Sequence, residues 1–242
     1  MEQKQQPRHD LNISGLGRTG GGVYKDVKID GMGKVSGDID CITFTSNGTV
    51  GIEGSLQAES MNINGTAKVE GPTMLDKMVI GGMSTFKDQV QCRAVFINGR
   101  ATFDKSLKSD AVKVEGILKT KGDVQCETFS VKGHFTIGGL LNADQVDIKL
   151  NLPCSVQEVG GEHIVVRKWK SPRFWEQLQY GFSTGLKAHI IEGDHIDLEY
   201  TEADTVRGND VRIGPGCTIR LVEYQNTIYQ DPNAKVGSCV QI

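Results

Sequence analysis

The chain has 242 residues, 38% of them hydrophobic and 24% charged, and is long enough to bury a sizeable core. A formal net charge of −3 and a pI near 6.0 exclude a general electrostatic attraction to nucleic acid, so we expect no nucleic-acid partner. "MEQKQQPRHD" is not followed by an apolar run, and no window approaches about 18 uninterrupted apolar residues. We therefore expect neither a signal peptide nor a membrane-spanning helix, and a cytoplasmic location.

Residues 1–10 are polar and predict a flexible tail, whereas residues 11–150 carry a 17-residue repeat. Seven full copies run without a gap from 27 to 145, beginning with "VKIDGMGKVSGDIDCIT". A weaker copy starts at Leu11, and "VDIKL" from Val146 begins another. Within each copy, hydrophobic residues alternate with polar ones at positions 1–3, 7–9 and 13–15, which is the pattern of short half-buried strands.

The fifth position of the repeat is glycine in every full copy: Gly31, Gly48, Gly65, Gly82, Gly99, Gly116 and Gly133. We interpret these glycines as structural corners that need a positive φ, which glycine adopts without a Cβ penalty. Three short strands and three corners per copy predict an all-β fold, a three-sided parallel β-helix whose rungs stack at roughly 4.8 Å.

Six cysteines are spread along the chain without a C-x-x-C pair or histidines at zinc-finger spacing. Cys41, Cys92 and Cys126 share one inward position of the repeat, on rungs too far apart for a disulfide. We therefore expect buried core thiols in a reducing compartment. No metal site and no cofactor is predicted.

The 17-residue period fails after Leu150, and residues 151–186 are predicted to be a loop insertion with an edge strand in "EHIVVRKW". The insertion holds both tryptophans of the chain, close to basic residues. One interpretation is a membrane contact, because aromatic rings and basic groups suit an anionic bilayer surface. The other is a flap that packs on the solenoid or caps an open end. The residues concerned are Arg167, Lys168, Trp169, Lys170, Arg173, Phe174 and Trp175.

Alternation returns in residues 187–224, which predict a second β-helical segment, and residues 225–242 are interpreted as a frayed tail. Within the second segment, Ile196 and Leu198 recur fifteen residues later as Val211 and Ile213. The 17-residue rungs together with "IEGDHIDLEYTEADTVRGNDVRIGPGCTIRLVEY" resemble the bactofilins, bacterial polymer-forming cytoskeletal proteins, and especially a long two-part Firmicutes form.

The resemblance implies a right-handed β-helix that polymerises end to end, without nucleotide, into non-polar filaments that act as scaffolds. The implied partner is a second copy of the chain, with a paralogous bactofilin and the inner face of the membrane as further candidates. Two features depart from the family pattern: the long loop that interrupts the rungs, and the lack of a hydrophobic N-terminal targeting peptide.

End-to-end assembly would join the terminal rungs, because an uncapped solenoid exposes strand edges. The candidate interface residues are Leu11 and Ile13 at one end, Val211, Ile213, Ile219 and Leu221 at the other, and Val146, Ile148 and Leu150 if the loop leaves the first stack open. No catalytic residue is predicted. Two alternatives stay open: a monomeric β-solenoid that binds a protein partner, and a β-helix enzyme acting on carbohydrate. The enzyme would need converging acids and bases, which the outward positions do not supply.

Overall fold

The computed structural model describes residues 8–169 and 184–242 of the chain. In these residues it contains 21 β-strands and no helix, and the strands pair in parallel as one continuous sheet. The sheet winds into a β-solenoid of about 13 turns with about 17 residues per rung. The predicted all-β parallel solenoid is therefore confirmed.

Regular rungs consist of one four-residue strand and one eight-residue strand, and later rungs of one long strand. The strands are β1 His9–Ile13, β2 Leu16–Thr19, β3 Gly22–Ile29, β4 Met32–Val35, β5 Ile39–Ser46, β6 Thr49–Ile52, β7 Leu56–Ile63, β8 Thr66–Val69, β9 Thr73–Ile80, β10 Met83–Phe86, β11 Val90–Ile97, β12 Arg100–Phe103, β13 Leu107–Val114, β14 Ile117–Thr120, β15 Val124–Val131, β16 His134–Leu150, β17 Cys154–Lys168, β18 Leu186–Leu198, β19 Thr201–Ile213, β20 Thr218–Gln230 and β21 Lys235–Gln241.

Each eight-residue strand covers two sides of the solenoid. In β9, inward and outward residues alternate except at Asp76 and Lys77, which are neighbours and both point outward. Asp76 also has no ladder partner in β7 or β11, while the residues on both sides of it are paired. A strand with two successive outward residues turns a corner there. The four-residue strand supplies the third side, as the repeat predicts.

The inward positions form one core along the whole axis. Phe86 and Phe103 lie on successive rungs at the same position and stack with ring centroids 5.1 Å apart. On the outside, charged residues of successive rungs pair: Asp104 accepts hydrogen bonds from Lys87 and Lys121, which hold the pKa of its carboxyl below the usual range. Registered stacking thus fixes both the core and the surface.

Five of the six cysteines are buried, as expected, and Cys239 is exposed. Burial raises the pKa of the Cys41 and Cys126 thiols to about 12, and it raises those of Cys92 and Cys217 to about 11. All six are free thiols. The buried ones act as small core residues.

The glycine corners have a different cause from the one that the sequence suggests. None of the seven glycines has a positive φ, a conformation that the structure shows at Gly21, Gly22 and Gly216. Instead, a Cβ at each would overlap the carbonyl oxygen of the glycine one rung before, far inside the 3.0 Å that real Cβ contacts essentially never cross. Gly82, for example, faces the carbonyl of Gly65. Side-chain-free corners therefore let successive rungs approach.

Three predicted boundaries are wrong. Residues 154–168 are not a loop with an edge strand but the central strand β17, which pairs with β16 on one side and with β18 on the other. Residues 225–242 are not a frayed tail, because β20 continues to Gln230 and β21 adds a further parallel strand. β1 begins at His9, inside the predicted N-terminal tail. The two predicted β-helical segments are accordingly one solenoid.

Replacing Gly82 or Gly99 by alanine should lower the melting temperature by about 5 °C or more, because the Cβ meets backbone that cannot give way. Gly51→Ala is the matched control, since a Cβ at Gly51 has no heavy atom within 4 Å. The measurement is circular dichroism during thermal unfolding. Equal melting temperatures for Gly82→Ala and Gly51→Ala would contradict the stacking explanation.

Candidate functional site

The two ends of the solenoid differ from every internal rung in how their strands are paired. At the N-terminal end, β1 pairs with β3 and β2 with β4, each along one edge. At the C-terminal end, β21 pairs with β20 alone. Within the part of the chain that the structure describes, the outer edges of these terminal strands have no partner. Such edges present free N–H and C=O groups to another chain.

At the N-terminal end, the core positions are partly open. Leu11 is half-buried against the core and Ile13 is 9% exposed, whereas Ile29 directly beneath Ile13 is fully buried. The ring of Tyr24 also packs on this part of the core, and its hydroxyl donates a hydrogen bond to the carbonyl of Gly21 at 2.9 Å. Leu11, Ile13 and Tyr24 thus give this end an apolar part, beside which Arg8 forms an ion pair with Asp40 at 3.0 Å.

At the C-terminal end, the same transition from buried to accessible residues occurs over one rung. Val236 lies over the buried Ile219 and is itself half-buried, and Cys239 lies over the buried Val222 and is exposed. Ile228 of β20 lies over Val211 and is also half-buried. These three residues complete their inward columns and define the C-terminal end.

Most of the predicted interface residues lie inside the solenoid. Val146 pairs with Phe129 on one side and Ile164 on the other, so the candidate end at Val146, Ile148 and Leu150 is wrong. Val211 and Ile213 are covered by β20, and Ile219 and Leu221 by β21. Leu11 and Ile13 do lie at an end. Sequence reasoning missed Ile228, Val236 and Cys239, although the 17-residue offset from Thr218 to Lys235 is a signal that could have found β21.

The described part of the proposed membrane contact is held by contacts within the solenoid. The Arg167 guanidinium donates two hydrogen bonds to the carboxylate of Asp197, and Glu199 lies 3.6 Å away. The Lys168 ammonium sits 4.7 Å from the centroid of the Tyr200 ring. The indole of Trp169 lies under the ammonium of Lys132 at 3.9 Å.

These contacts favour the flap interpretation for the three residues concerned, because their charges and ring faces are already engaged. The other four candidates, Lys170, Arg173, Phe174 and Trp175, lie outside the described residues. A membrane contact through them stays a prediction. Within residues 8–169 and 184–242, no helix has the length and apolar character needed to cross a membrane.

The register shows where the insertion enters the solenoid. Leu150 pairs with Lys168, and Cys154 pairs with Leu186, so the connection from Lys168 to Leu186 begins and ends in register with the three-residue connection from Leu150 to Cys154. Seventeen residues thus replace three at this corner. Removing the fourteen residues 170–183 would leave Trp169, Thr184 and Gly185, which restores a corner of three.

A surface groove with a volume of about 860 Å³ runs across the C-terminal rungs. Its floor contains inward residues of successive rungs, among them the small Ala188 and Ala203. Its titratable groups pair with each other: His189 contacts Asp204 at 2.8 Å and Lys187 contacts Glu202 at 3.1 Å. All four of these side chains are more than half exposed, as expected for ion pairs on a solvated surface. Among the described residues, no group of three or more His, Cys, Asp or Glu could hold a metal ion.

Comparison with known proteins identifies two relatives in Bacillus subtilis (strain 168). "Uncharacterized protein YhbE" is 56% identical over 233 residues, which cover 96% of this chain and 98% of that protein. "Uncharacterized protein YhbF" is 40% identical over 99 residues, 40% of each chain. No family model matches the sequence, and no solved structure matches it.

Deleting residues 170–183 should leave a folded solenoid, because the remaining corner has the length of the preceding one. We expect an unchanged β-type circular dichroism spectrum. Deleting the fourteen residues 107–120, which removes β13 and β14 from a regular rung, is the length-matched control and should unfold the protein. Loss of the β spectrum in the 170–183 variant would contradict the corner assignment.

The same variant separates the two interpretations of the insertion. If residues 170–183 contact membrane, the wild type should sediment with anionic liposomes and the deletion variant should remain in the supernatant. Equal recovery of both proteins in the supernatant would exclude the membrane contact.

Native protein that has not assembled should show one fast-reacting thiol towards an aromatic disulfide reagent and six after unfolding, because Cys239 alone is exposed in the single chain. A Cys239→Ser variant should show none in the native state. Two or more fast thiols in the native wild type would contradict the burial of the other five.

Proposed function

The chain belongs to the same family as YhbE of Bacillus subtilis, and we propose that it is a structural scaffold that assembles end to end into filaments. The assembly needs no nucleotide or metal. In this proposal the protein is a bactofilin-like cytoskeletal element that works in the cytoplasm. A second copy of the chain is its main partner, and a paralogue and the inner membrane surface are further candidates.

One observation carries the proposal: both terminal rungs combine an open strand edge with accessible core residues. Leu11 and Ile13 continue the inward columns at one end, and Ile228, Val236 and Cys239 continue them at the other. A second chain placed against either end would add a strand to the open edge, in parallel where unlike ends meet and antiparallel where like ends meet, and would cover these apolar side chains. Both gains have the same physical origin as the contacts between internal rungs.

The sides of the solenoid are less suited to association. Their charged groups pair from rung to rung, as in Arg207 with Glu223 at 2.7 Å and Lys105 with Asp88 at 2.7 Å. Lateral contact between copies would have to remove water from these groups without adding a strand to the sheet. The difference between ends and sides favours a filament one solenoid wide.

Either arrangement of the ends produces a filament. Joining an N-terminal to a C-terminal end repeats one heterologous contact, and joining like ends alternates two symmetric contacts. The resemblance to bactofilins favours the second arrangement, which gives non-polar filaments. Both bury Val236 and Leu11, so the same variants test them.

A monomeric binding module is the second candidate function. The groove of about 860 Å³ favours it, because the groove spans successive rungs and presents an apolar floor between charged rims. Such a module would keep its ends free in solution. The two functions predict different particle masses at high protein concentration, that of a monomer for the binding module and that of a filament for the scaffold.

The test is sedimentation of purified protein with EDTA and without nucleotide, followed by electron microscopy of the pellet. Wild-type protein should pellet as filaments. Val236→Arg and Leu11→Arg should remain soluble as monomers or dimers, because a charge at the junction must be desolvated at a cost of several kcal/mol. Lys119→Glu, on an exposed position of a central rung, is the control and should still form filaments.

Circular dichroism distinguishes a variant that no longer assembles from one that no longer folds. A soluble variant counts as support when its β spectrum and melting temperature match those of the wild type. A wild type that stays monomeric at high concentration would refute the scaffold and leave the binding module. Filaments formed by both end variants would refute the assignment of the ends.

A further inference from the structure

Two histidines on successive rungs stand side by side on the outer surface. His163 of β17 pairs in register with His195 of β18, and their rings are 4.8 Å apart between centroids with a tilt of 36°. Both side chains are exposed. The sequence hides this pair, because the two positions are far apart along the chain and the insertion lies between them.

The Nδ1 atom of each histidine lies near a side chain that orients the imidazole ring. His195 Nδ1 lies 3.3 Å from Asp210 Oδ2, and Asp210 in turn accepts a hydrogen bond from the Thr227 hydroxyl at 2.7 Å. His163 Nδ1 lies 3.3 Å from the amide nitrogen Nε2 of Gln145. Exchanging the oxygen and nitrogen of that amide presents its carbonyl oxygen to an Nδ1–H. A carboxylate or carbonyl on Nδ1 is the arrangement that leaves Nε2 as a metal ligand.

Acidic residues surround the pair. The corner positions just before Gln145, His163 and His195 are Asp144, Glu162 and Asp194, and all three are exposed. Asp194 accepts a hydrogen bond from Asn209 at 2.8 Å, which leaves its charge in place. The local field therefore attracts cations rather than anions.

From this geometry we propose that His163 and His195 form a surface site for one divalent transition-metal ion such as Zn²⁺, Ni²⁺ or Cu²⁺. The two Nε2 atoms are the protein ligands, and water fills the remaining positions. Zinc–nitrogen bonds of about 2.0–2.1 Å at a tetrahedral angle need the two nitrogens about 3.3 Å apart. With the ring centroids 4.8 Å apart, metal binding requires side-chain rotations that bring the two Nε2 atoms to this separation. Imidazole ligands select these ions over Ca²⁺ and Mg²⁺.

A bound ion would join β17 to β18. These are the strands that the seventeen-residue corner separates in sequence. Metal would therefore hold together the one junction between rungs that is connected through the insertion, and binding to the folded state alone would raise the melting temperature. The site lies on the outer surface of two rungs between the ends of the solenoid. Metal binding there therefore does not depend on assembly at the ends.

Binding is measured by isothermal titration of ZnCl₂ and NiCl₂ into protein without an affinity tag, in a Cys239→Ser background that removes the exposed thiol. We expect one ion per chain at micromolar affinity. His163→Gln and His195→Gln should each weaken binding at least tenfold, and Asp210→Asn by about 10- to 100-fold through loss of ring orientation.

His189→Gln is the matched control. His189 is also exposed on β18 and also contacts a carboxylate on the next rung, Asp204, at 2.8 Å, but no second imidazole faces it in register. Its replacement should change the affinity less than twofold. Cu²⁺ electron paramagnetic resonance should show coupling to two imidazole nitrogens in the wild type and to one in His163→Gln. Unchanged affinity in His163→Gln and His195→Gln, or no binding at millimolar metal, would overturn the proposal.

Discussion

Registered stacking of one rung on the next is the constraint on which the rest of the structure depends. Each internal strand pairs in parallel with the strand one rung before and the strand one rung after. The residues directly above and below a position therefore determine which side chain fits there. Inward columns are mainly apolar, with small hydroxyl residues such as Ser46 and Ser109 at a few positions, and outward columns can pair charges. At the corners, the backbones themselves come into contact. Gly65, Gly82 and Gly99 illustrate this, because each lies against the carbonyl of the glycine before it.

The 17-residue period and the three inward segments were enough to predict the solenoid, its three sides and its core columns. They could not give the reason for the glycine column, because a spacing shows that a side chain is excluded but not whether φ or a neighbouring rung excludes it. In the structure the neighbouring rung does so. The prediction of buried cysteines followed from the same columns, and Cys239 is exposed because no described rung lies beyond it.

The boundaries were missed where the rung length changes. β16 pairs with β17 through an irregular register between Ile137 and Leu140. The insertion then lies between β17 and β18, and the pairing of β18 with β19 has an offset of fifteen residues rather than seventeen. An alignment with a fixed period loses the pattern there, although inward and outward residues still alternate in β17. The final strand was missed for another reason. Its Gly237 and Ser238 are small and exposed, and a terminal strand buries too little to show a clear alternation. Leu11 and Ile13 were placed correctly at an end, while the opposite end lies one rung further than the sequence indicated.

The open ends link this architecture to the proposed scaffold, because the interaction that joins internal rungs is the one left incomplete at β1 and β21. If ends join by continuing the solenoid, about 13 rungs at roughly 4.8 Å give an axial length of about 60 Å per chain. Fibre diffraction from an oriented pellet of wild-type protein tests this directly. Filaments built in this way should give a reflection at about 4.8 Å along the filament axis, with a subunit repeat equal to that axial length or to twice it. The same reflection perpendicular to the axis would mean that the solenoids associate through their sides, and would contradict end-to-end assembly.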